Sequence, residues 1–137
     1  MFTHEKFKAY QLAIHFTRLA LDFSDEMTPG NSILREQLRR AAFSISLNIA
    51  EGTGKHGRSD RLRFYSIARG SAMECAAICD IIGIIEPRLL PRTEFAKTTL
   101  QSIVSILTTV CSPNYRMMIR KKVHVQEKEQ EKEKEKD

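Results

Sequence analysis

Apolar residues recur at intervals of three and four along most of the chain, with charged residues between them, and this spacing is typical of amphipathic helices. The pattern predicts four helices, over residues 5–23, 32–51, 60–85 and 92–111. Clusters of Gly, Pro, Ser and Asn lie between them and predict short loops. Four amphipathic helices with such short connections favour an all-α fold, an antiparallel up-down-up-down four-helix bundle.

The same spacing assigns individual positions within these helices. In the first helix one stripe is formed by Tyr10, Ile14, Thr17 and Leu21. Gly52 and Gly54 are expected to end the second helix through the left-handed backbone that glycine accepts. Ser59 is expected to cap the third helix, and Phe95 is expected to face inward from the fourth.

The second helix has two unlike halves and is expected to lie at the centre of the fold. Arg35, Arg39 and Arg40 make its first half basic, whereas small and branched residues fill its second half. A helix that is apolar over so much of its circumference packs against several neighbours. This apolar excess exceeds what one bundle needs, so we predict contacts between subunits of a homo-oligomer. The predicted interface residues are Phe43, Leu47, Ile49, Phe64 and Ile67.

The four helices define a predicted domain over residues 1–115. Beyond it, residues 116–125 are basic with apolar spacing, and residues 126–137 alternate Glu and Lys without a hydrophobic residue. Such a segment cannot bury a core, so residues 116–137 are predicted to be a solvated tail, disordered or transiently helical.

Composition narrows the class of protein and its compartment. A chain of 137 residues suits one domain, and the absence of Trp with few Gly and Pro favours helices. The first residues lack the pattern of a signal peptide, and three cysteines are an odd number for a disulfide framework. No apolar run approaches the roughly 18 residues of a membrane span. We therefore expect a cytoplasmic protein with reduced thiols and no membrane partner.

Motifs that would indicate catalysis or a bound cofactor are weak. Gly52-x-Gly54-x-x-Gly57 has dinucleotide-binding spacing, but it follows a predicted helix where that motif needs a strand. Cys75 and Cys79 lie one turn apart without the further ligands of a zinc site, so they are expected to be core thiols. We predict a protein that is not an enzyme, with no cofactor and no metal. An enzyme using Glu and His side chains is the remaining alternative.

Basic residues are the feature that points to a partner. Residues 35–69 hold eight Lys or Arg against three acids and thus carry a charge of +5. Arginines around a helix start can bind phosphate, so the predicted partner is the backbone of RNA or DNA, bound in a salt-sensitive way. The predicted contact residues are Arg35, Arg39, Arg40, Lys55, Arg58, Arg61 and Arg63.

Two acids are expected to pair with arginines of this set and so to reduce their availability for nucleic acid. Glu36 precedes Arg40 by four residues and is expected to pair with it, which leaves Arg35 and Arg39 as the better candidates for a nucleic-acid contact. Glu74 lies in an otherwise apolar stretch and is expected to pair with Arg39 or Arg40.

Two motifs resemble one bacterial protein family. The stretch QLRRAAFSISLNIAEG at 37–52 and the stretch FYSIARGSAME at 64–74 resemble, in this order, the signatures of the four-helix-bundle proteins encoded in intervening sequences of large-subunit ribosomal RNA genes. The resemblance covers residues 4–112. Ser46 and Leu47 depart from the pattern, since the family usually has proline and serine there.

The resemblance implies a homopentamer of four-helix bundles around a central channel. It also implies a likeness to the accessory variability protein of diversity-generating retroelements, which binds nucleic acid and a reverse transcriptase through a basic surface. The combined prediction is a nucleic-acid-binding accessory protein with a reverse transcriptase as a further partner. The alternative is a structural homo-oligomer, an rRNA intervening-sequence protein of unknown role, whose arginines form salt bridges between subunits with Glu51 or Glu74.

Overall fold

The computed structural model describes residues 1–136, and every regular element within them is helical. The five α-helices are α1 (Lys8–Asp25), α2 (Ser32–Thr53), α3 (Arg58–Ile85), α4 (Leu90–Cys111) and α5 (Tyr115–Lys134). Short 3-10 turns at Thr3–Lys6, Pro29–Asn31 and Pro87–Leu89 precede α1, α2 and α4. The predicted all-α class is confirmed over this range.

Helices α1 to α4 share one hydrophobic core. α2 packs against α1 and α3, and α4 packs against α3 and α1, so each helix has two main neighbours. The large side chains buried between them include Phe16, Phe23, Leu38, Ile45, Ile49, Ile82, Leu100, Ile103 and Leu107. Burial of one such side chain is worth about 1.5–3 kcal/mol. Packing between the helices, more than the propensity of each one, therefore stabilises the fold.

Several buried positions differ from the predicted ones. In α1 the buried stripe is Ala9, Ala13, Phe16, Ala20 and Phe23, whereas the predicted stripe of Tyr10, Ile14, Thr17 and Leu21 is only half-buried. The alanines let α1 approach its neighbours closely, and the larger side chains flank the contact. Ile49, predicted to contact another subunit, is fully buried in the core, and Phe95, predicted to face inward, is 60% exposed. Both of these predictions were wrong.

The glycines at the end of α2 do not act as left-handed caps. Gly52 lies within α2, and Gly54 follows the helix with a φ of −76°, in the right-handed region. A Cβ atom on Gly52 would lie 2.9 Å from two ring carbons of Tyr65 in α3, so close packing explains this glycine. α3 begins at Arg58, one residue before its predicted cap Ser59.

The predicted tail contains a helix, α5, that stands outside the core. Its contacts with the body are mainly with α4, and residues 117–136 are exposed. The segment is thus solvated, as its composition indicates, but helical through Lys134. The predicted domain boundary at residue 115 stays a prediction.

Candidate nucleic-acid interface

The predicted basic contact residues fall into two groups at opposite ends of α2. Arg35, Arg39 and Arg40 lie in its first half, and the other four follow its last turn. Arg39 and Thr53 are 14 residues apart in sequence, which corresponds to roughly 21 Å along the helix axis. The basic stretch of the sequence is therefore two separate surfaces in the folded chain.

Two of the three arginines in the first group, Arg39 and Arg40, face acids of the same chain, whereas Arg35 has no carboxylate within 4.0 Å among residues 1–136. Arg39 Nη2 lies 2.8 Å from Asp25 Oδ1, and Arg39 Nη1 lies 4.0 Å from Glu36 Oε1. Arg40 Nη2 lies 3.8 Å from Glu74 Oε1, which confirms the predicted pairing of Glu74. The predicted pair of Glu36 with Arg40 is absent, because the Glu36 carboxylate faces Arg39 on the adjacent side of the helix. Both arginines thus have an internal electrostatic partner.

The second group surrounds the start of α3 and is here called the loop cluster: Lys55, Arg58, Arg61 and Arg63. Arg61 Nη2 donates to the Lys55 carbonyl at 3.1 Å and holds the loop against the first turn of α3. Arg58 Nη2 approaches the Ser112 carbonyl at 3.5 Å, which joins α3 to the end of α4. These contacts position the side chains without neutralising their charge.

The charges of the loop cluster are mostly unpaired. Within residues 1–136, Arg58, Arg61 and Arg63 have no carboxylate within 4.0 Å, and Lys55 Nζ is 3.9 Å from Glu51. The N-terminus of α3 adds a partial positive charge, no side-chain hydrogen bond from residues 1–136 caps it, and Asp60 places one acid in its first turn. This end of the molecule therefore combines guanidinium groups that are not paired with a carboxylate with backbone N–H groups of a helix start, a combination suited to phosphate.

An aromatic ring lies beneath two of these cations. The Arg63 guanidinium carbon is 4.6 Å from the centroid of the Phe64 ring, and Lys55 Nζ is 5.2 Å from it. Such cation–π contacts orient the two side chains at a modest gain in stability. Phe64, predicted to contact another subunit, is half-buried in this position.

A packed layer supports the loop cluster from below. The Thr53 and Tyr65 hydroxyl oxygens are 2.7 Å apart, and Thr53 Oγ1 donates to the Ile49 carbonyl. The Tyr65 ring is buried and lies 5.5 Å from the ring of Phe7. Gly52 allows this ring to sit against α2. The loop cluster therefore lies on a closely packed layer of side chains.

The remaining predicted interface residues are exposed. Phe43 and Leu47 on α2 are 43% and 66% exposed, and Ile67 on α3 is 42% exposed. A hydrogen bond of 2.8 Å between Ser44 and Ser71 joins the two helices beside them. These three side chains form an apolar outer face along the contact of α2 with α3, here called the α2–α3 face.

The opposite end of the fold contains a buried carboxylate, Glu86, to which the sequence analysis assigned no role. Glu86 is 4% exposed, and its Oε1 accepts hydrogen bonds from the Thr28 amide at 2.9 Å and the Thr28 hydroxyl at 2.7 Å. Arg88 Nη2 lies 3.3 Å from the same oxygen. The hydrogen bonds from Thr28 hold the pKa of Glu86 below its ordinary value, although burial opposes this shift. In the sequence, the position of Glu86 just before Pro87 indicates a turn, but it does not indicate that the carboxylate is buried.

The cysteines and acids give no second site. Cys75 and Cys79 are buried, as predicted, and burial raises the pKa of Cys79 to about 12, with the charge of Asp80 adding to it. A thiol with so high a pKa is not a nucleophile near neutral pH. Among residues 1–136 no group of three or more possible metal ligands comes together. In the same range no helix has the length and apolarity to cross a membrane.

Comparisons with known proteins give one family match and one similar fold. Residues 5–108 match a family model described as 23S rRNA-intervening sequence protein. A similar solved structure is that of a protein with unknown function from the S23 ribosomal protein family of Bacteroides thetaiotaomicron. It has a TM-score of 0.70 at 17% identity and covers 76% of this chain and 98% of its own, so the likeness concerns the fold alone. A search of curated proteins gives no match.

Proposed function

The chain belongs to the 23S rRNA-intervening sequence protein family, and we propose that it is a non-enzymatic, homo-oligomeric protein that binds the backbone of RNA or DNA. The observation that carries this proposal is the loop cluster, where three guanidinium groups with no carboxylate within 4.0 Å among residues 1–136 surround the N-terminus of α3. A polyanion neutralises such a surface and releases its own counterions, which favours binding. Arg39 and Arg40 contribute less, because they already face Asp25 and Glu74.

The proposed oligomer uses the α2–α3 face. Single exposed apolar residues are common on soluble proteins, but Phe43 and Leu47 lie one turn apart on α2, and Ile67 lies one turn before Ser71, the residue of α3 that is hydrogen-bonded to Ser44 of α2. We propose that four-helix-bundle subunits meet through this face as a homopentamer, the number that the family resemblance implies. Repetition of the loop cluster around such a ring would raise the affinity for a long nucleic acid through multivalency. A reverse transcriptase as a further partner rests on the resemblance alone.

Binding to nucleic acid is tested by fluorescence anisotropy with labelled RNA and DNA across a salt series. We expect the logarithm of the association constant to fall linearly with the logarithm of the salt concentration. The double variant R61Q/R63Q should make this slope less steep, by the amount that corresponds to about two phosphate contacts. The matched control is R39Q/R40Q, which removes the same charge from the paired group. Equal losses in both variants, or no salt-dependent binding by the unaltered chain, would contradict the proposal.

The oligomer is tested by light scattering on the full chain. We expect Leu47→Glu to reduce the mass of the assembly, because it places charge in the centre of the α2–α3 face. Ile84→Glu is the control, since Ile84 is 76% exposed and lies near the other end of α3. A monomeric unaltered chain would rule out the proposed assembly.

A further inference from the structure

Helix α5 leaves the body beside the loop cluster, although the two are more than fifty residues apart in sequence. The Ser112 carbonyl that faces Arg58 lies three residues before Tyr115, the first residue of α5. Tyr115 lines a cleft with Phe7 and Val110 at this same end of the core. Every described side chain from 117 to 136 is exposed, so the helix projects into solvent.

The charge of α5 is divided along its length. Its first half contains Arg120, Lys121 and Lys122, and the sequence has no acid from 115 to 126. Residues 127–136 hold five Glu against four Lys. The uncompensated cations are therefore those closest to the loop cluster. They also lie outside residues 5–108, so membership of the family does not account for them.

We propose that the first half of α5 extends the loop cluster into one continuous surface that binds a nucleic-acid backbone. This inference rests on the proposed function and adds a second contact element to it. Ten helical residues span roughly 15 Å, a length over which a duplex presents about nine phosphates. A projecting helix reaches phosphates that the loop cluster, confined to one helix start, does not reach.

The arrangement of the apolar side chains of α5 favours a nucleic-acid backbone over a lipid surface as its binding partner. Met118, Ile119 and Val123 lie on one side of the helix and are between 43% and 47% exposed. Lys122 follows Met118 by four residues and interrupts this side, because residues at that spacing are neighbours on a helix. A helix that inserts into a bilayer surface needs a continuous apolar face. The cations, in contrast, suit phosphates on a rigid duplex.

The test compares two triple variants of the full chain on a duplex of roughly 30 base pairs, long enough to span both contact elements. R120Q/K121Q/K122Q removes charge from the first half of α5, and K128Q/K132Q/K134Q removes the same charge from the second half. Because these side chains are exposed, both variants are expected to keep the circular dichroism of the unaltered chain. We expect the first variant to bind at least about tenfold more weakly near 0.1 M salt, with a salt dependence lower by two to three phosphate contacts, and the second to bind as the unaltered chain does.

The outcomes separate the two proposals. If the unaltered chain shows no salt-dependent binding, both are overturned. If R61Q/R63Q weakens binding and R120Q/K121Q/K122Q does not, only the role of α5 is overturned. Equal losses in the two α5 variants would also overturn it, since they would indicate a general charge effect. Unchanged duplex binding with loss of binding to phosphatidylserine-containing vesicles would overturn it in favour of a lipid surface.

Discussion

The two ends of the α1–α4 core both carry basic residues, but at only one end do acids of the chain pair with most of them. At the end where α1 meets α2 and α3 meets α4, the charged residues interact with one another: Asp25 with Arg39, Glu26 with Arg92, and Glu86 with Arg88. At the other end the loop cluster has one carboxylate within ion-pair distance, that of Glu51, besides Asp60 in the first turn of α3, and rests on the packed ring of Tyr65. Charge stabilises the first end, whereas packing stabilises the second and leaves its charge available to a ligand. Pairing, more than the number of arginines, therefore distinguishes a structural surface from a binding surface.

The largest effect is expected from the buried carboxylate of the paired end. Glu86→Ala should lower the free energy of unfolding by about 2–4 kcal/mol, because the Thr28 amide and hydroxyl lose their acceptor and Arg88 loses its partner. Urea unfolding followed by circular dichroism measures this difference. Glu94→Ala is the control, since its carboxylate is exposed and 3.7 Å from Lys97. Similar losses of unfolding free energy in both variants would mean that the buried Glu86 carboxylate contributes no more to stability than an exposed one.

The packed base of the loop cluster should be the next most sensitive feature. Gly52→Ala should destabilise the fold by about 1–3 kcal/mol, because the new Cβ would meet the Tyr65 ring at 2.9 Å and the Arg61 carbonyl at 3.0 Å. Gly70→Ala, within the same pair of helices, has open space around its Cβ and should stabilise α3 by up to about 1 kcal/mol. Unfolding measurements on the two variants should thus give opposite signs. The same sign in both would contradict the close contact of α2 with α3.

A smaller effect is expected from pH. The pKa of Glu86 is lower in the folded chain than its ordinary value of 4.5, so its ionised form stabilises the fold above that pH. This contribution is lost as pH falls below 4.5 through the folded pKa. The loss is smaller than in Glu86→Ala, because a protonated carboxyl still accepts one hydrogen bond. Acid titration of unfolding should therefore be less steep in Glu86→Gln than in the unaltered chain, and equal slopes would contradict the assignment.

The sequence predicted the helices well and the surfaces poorly, for a physical reason. Periodicity reports which side of a helix is apolar, and it located four helices and the buried thiols Cys75 and Cys79. It does not report which neighbour covers that side, so Ile49 was assigned to another subunit although it lies in the core. The pairing of charges depends on distance between helices. For this reason the window 35–69 suggested one basic surface where the fold makes two.

Glycine positions show the same difference between local and tertiary signals. Gly52 follows an apolar run, a place where glycine commonly ends a helix, and the local pattern therefore predicted a cap. The structure explains this residue by the Tyr65 ring, which comes from the next helix. The second half of α5 was also outside the reach of the pattern, because alternating Glu and Lys gives no apolar period.

The smallest effects give the most direct test of the comparison between the two ends. Arg39→Gln should lower the free energy of unfolding by about 0.5–1 kcal/mol, since its guanidinium group is partly buried against Asp25, and should leave nucleic-acid binding unchanged. Arg63→Gln should leave stability nearly unchanged, because this exposed side chain contacts mainly the Phe64 ring, but should remove about one phosphate contact from the salt dependence. Unfolding and anisotropy on both variants measure all four quantities. If Arg39→Gln weakened binding as much as Arg63→Gln, an ion pair within the chain would not remove an arginine from the binding surface, and the distinction between the two ends would fail.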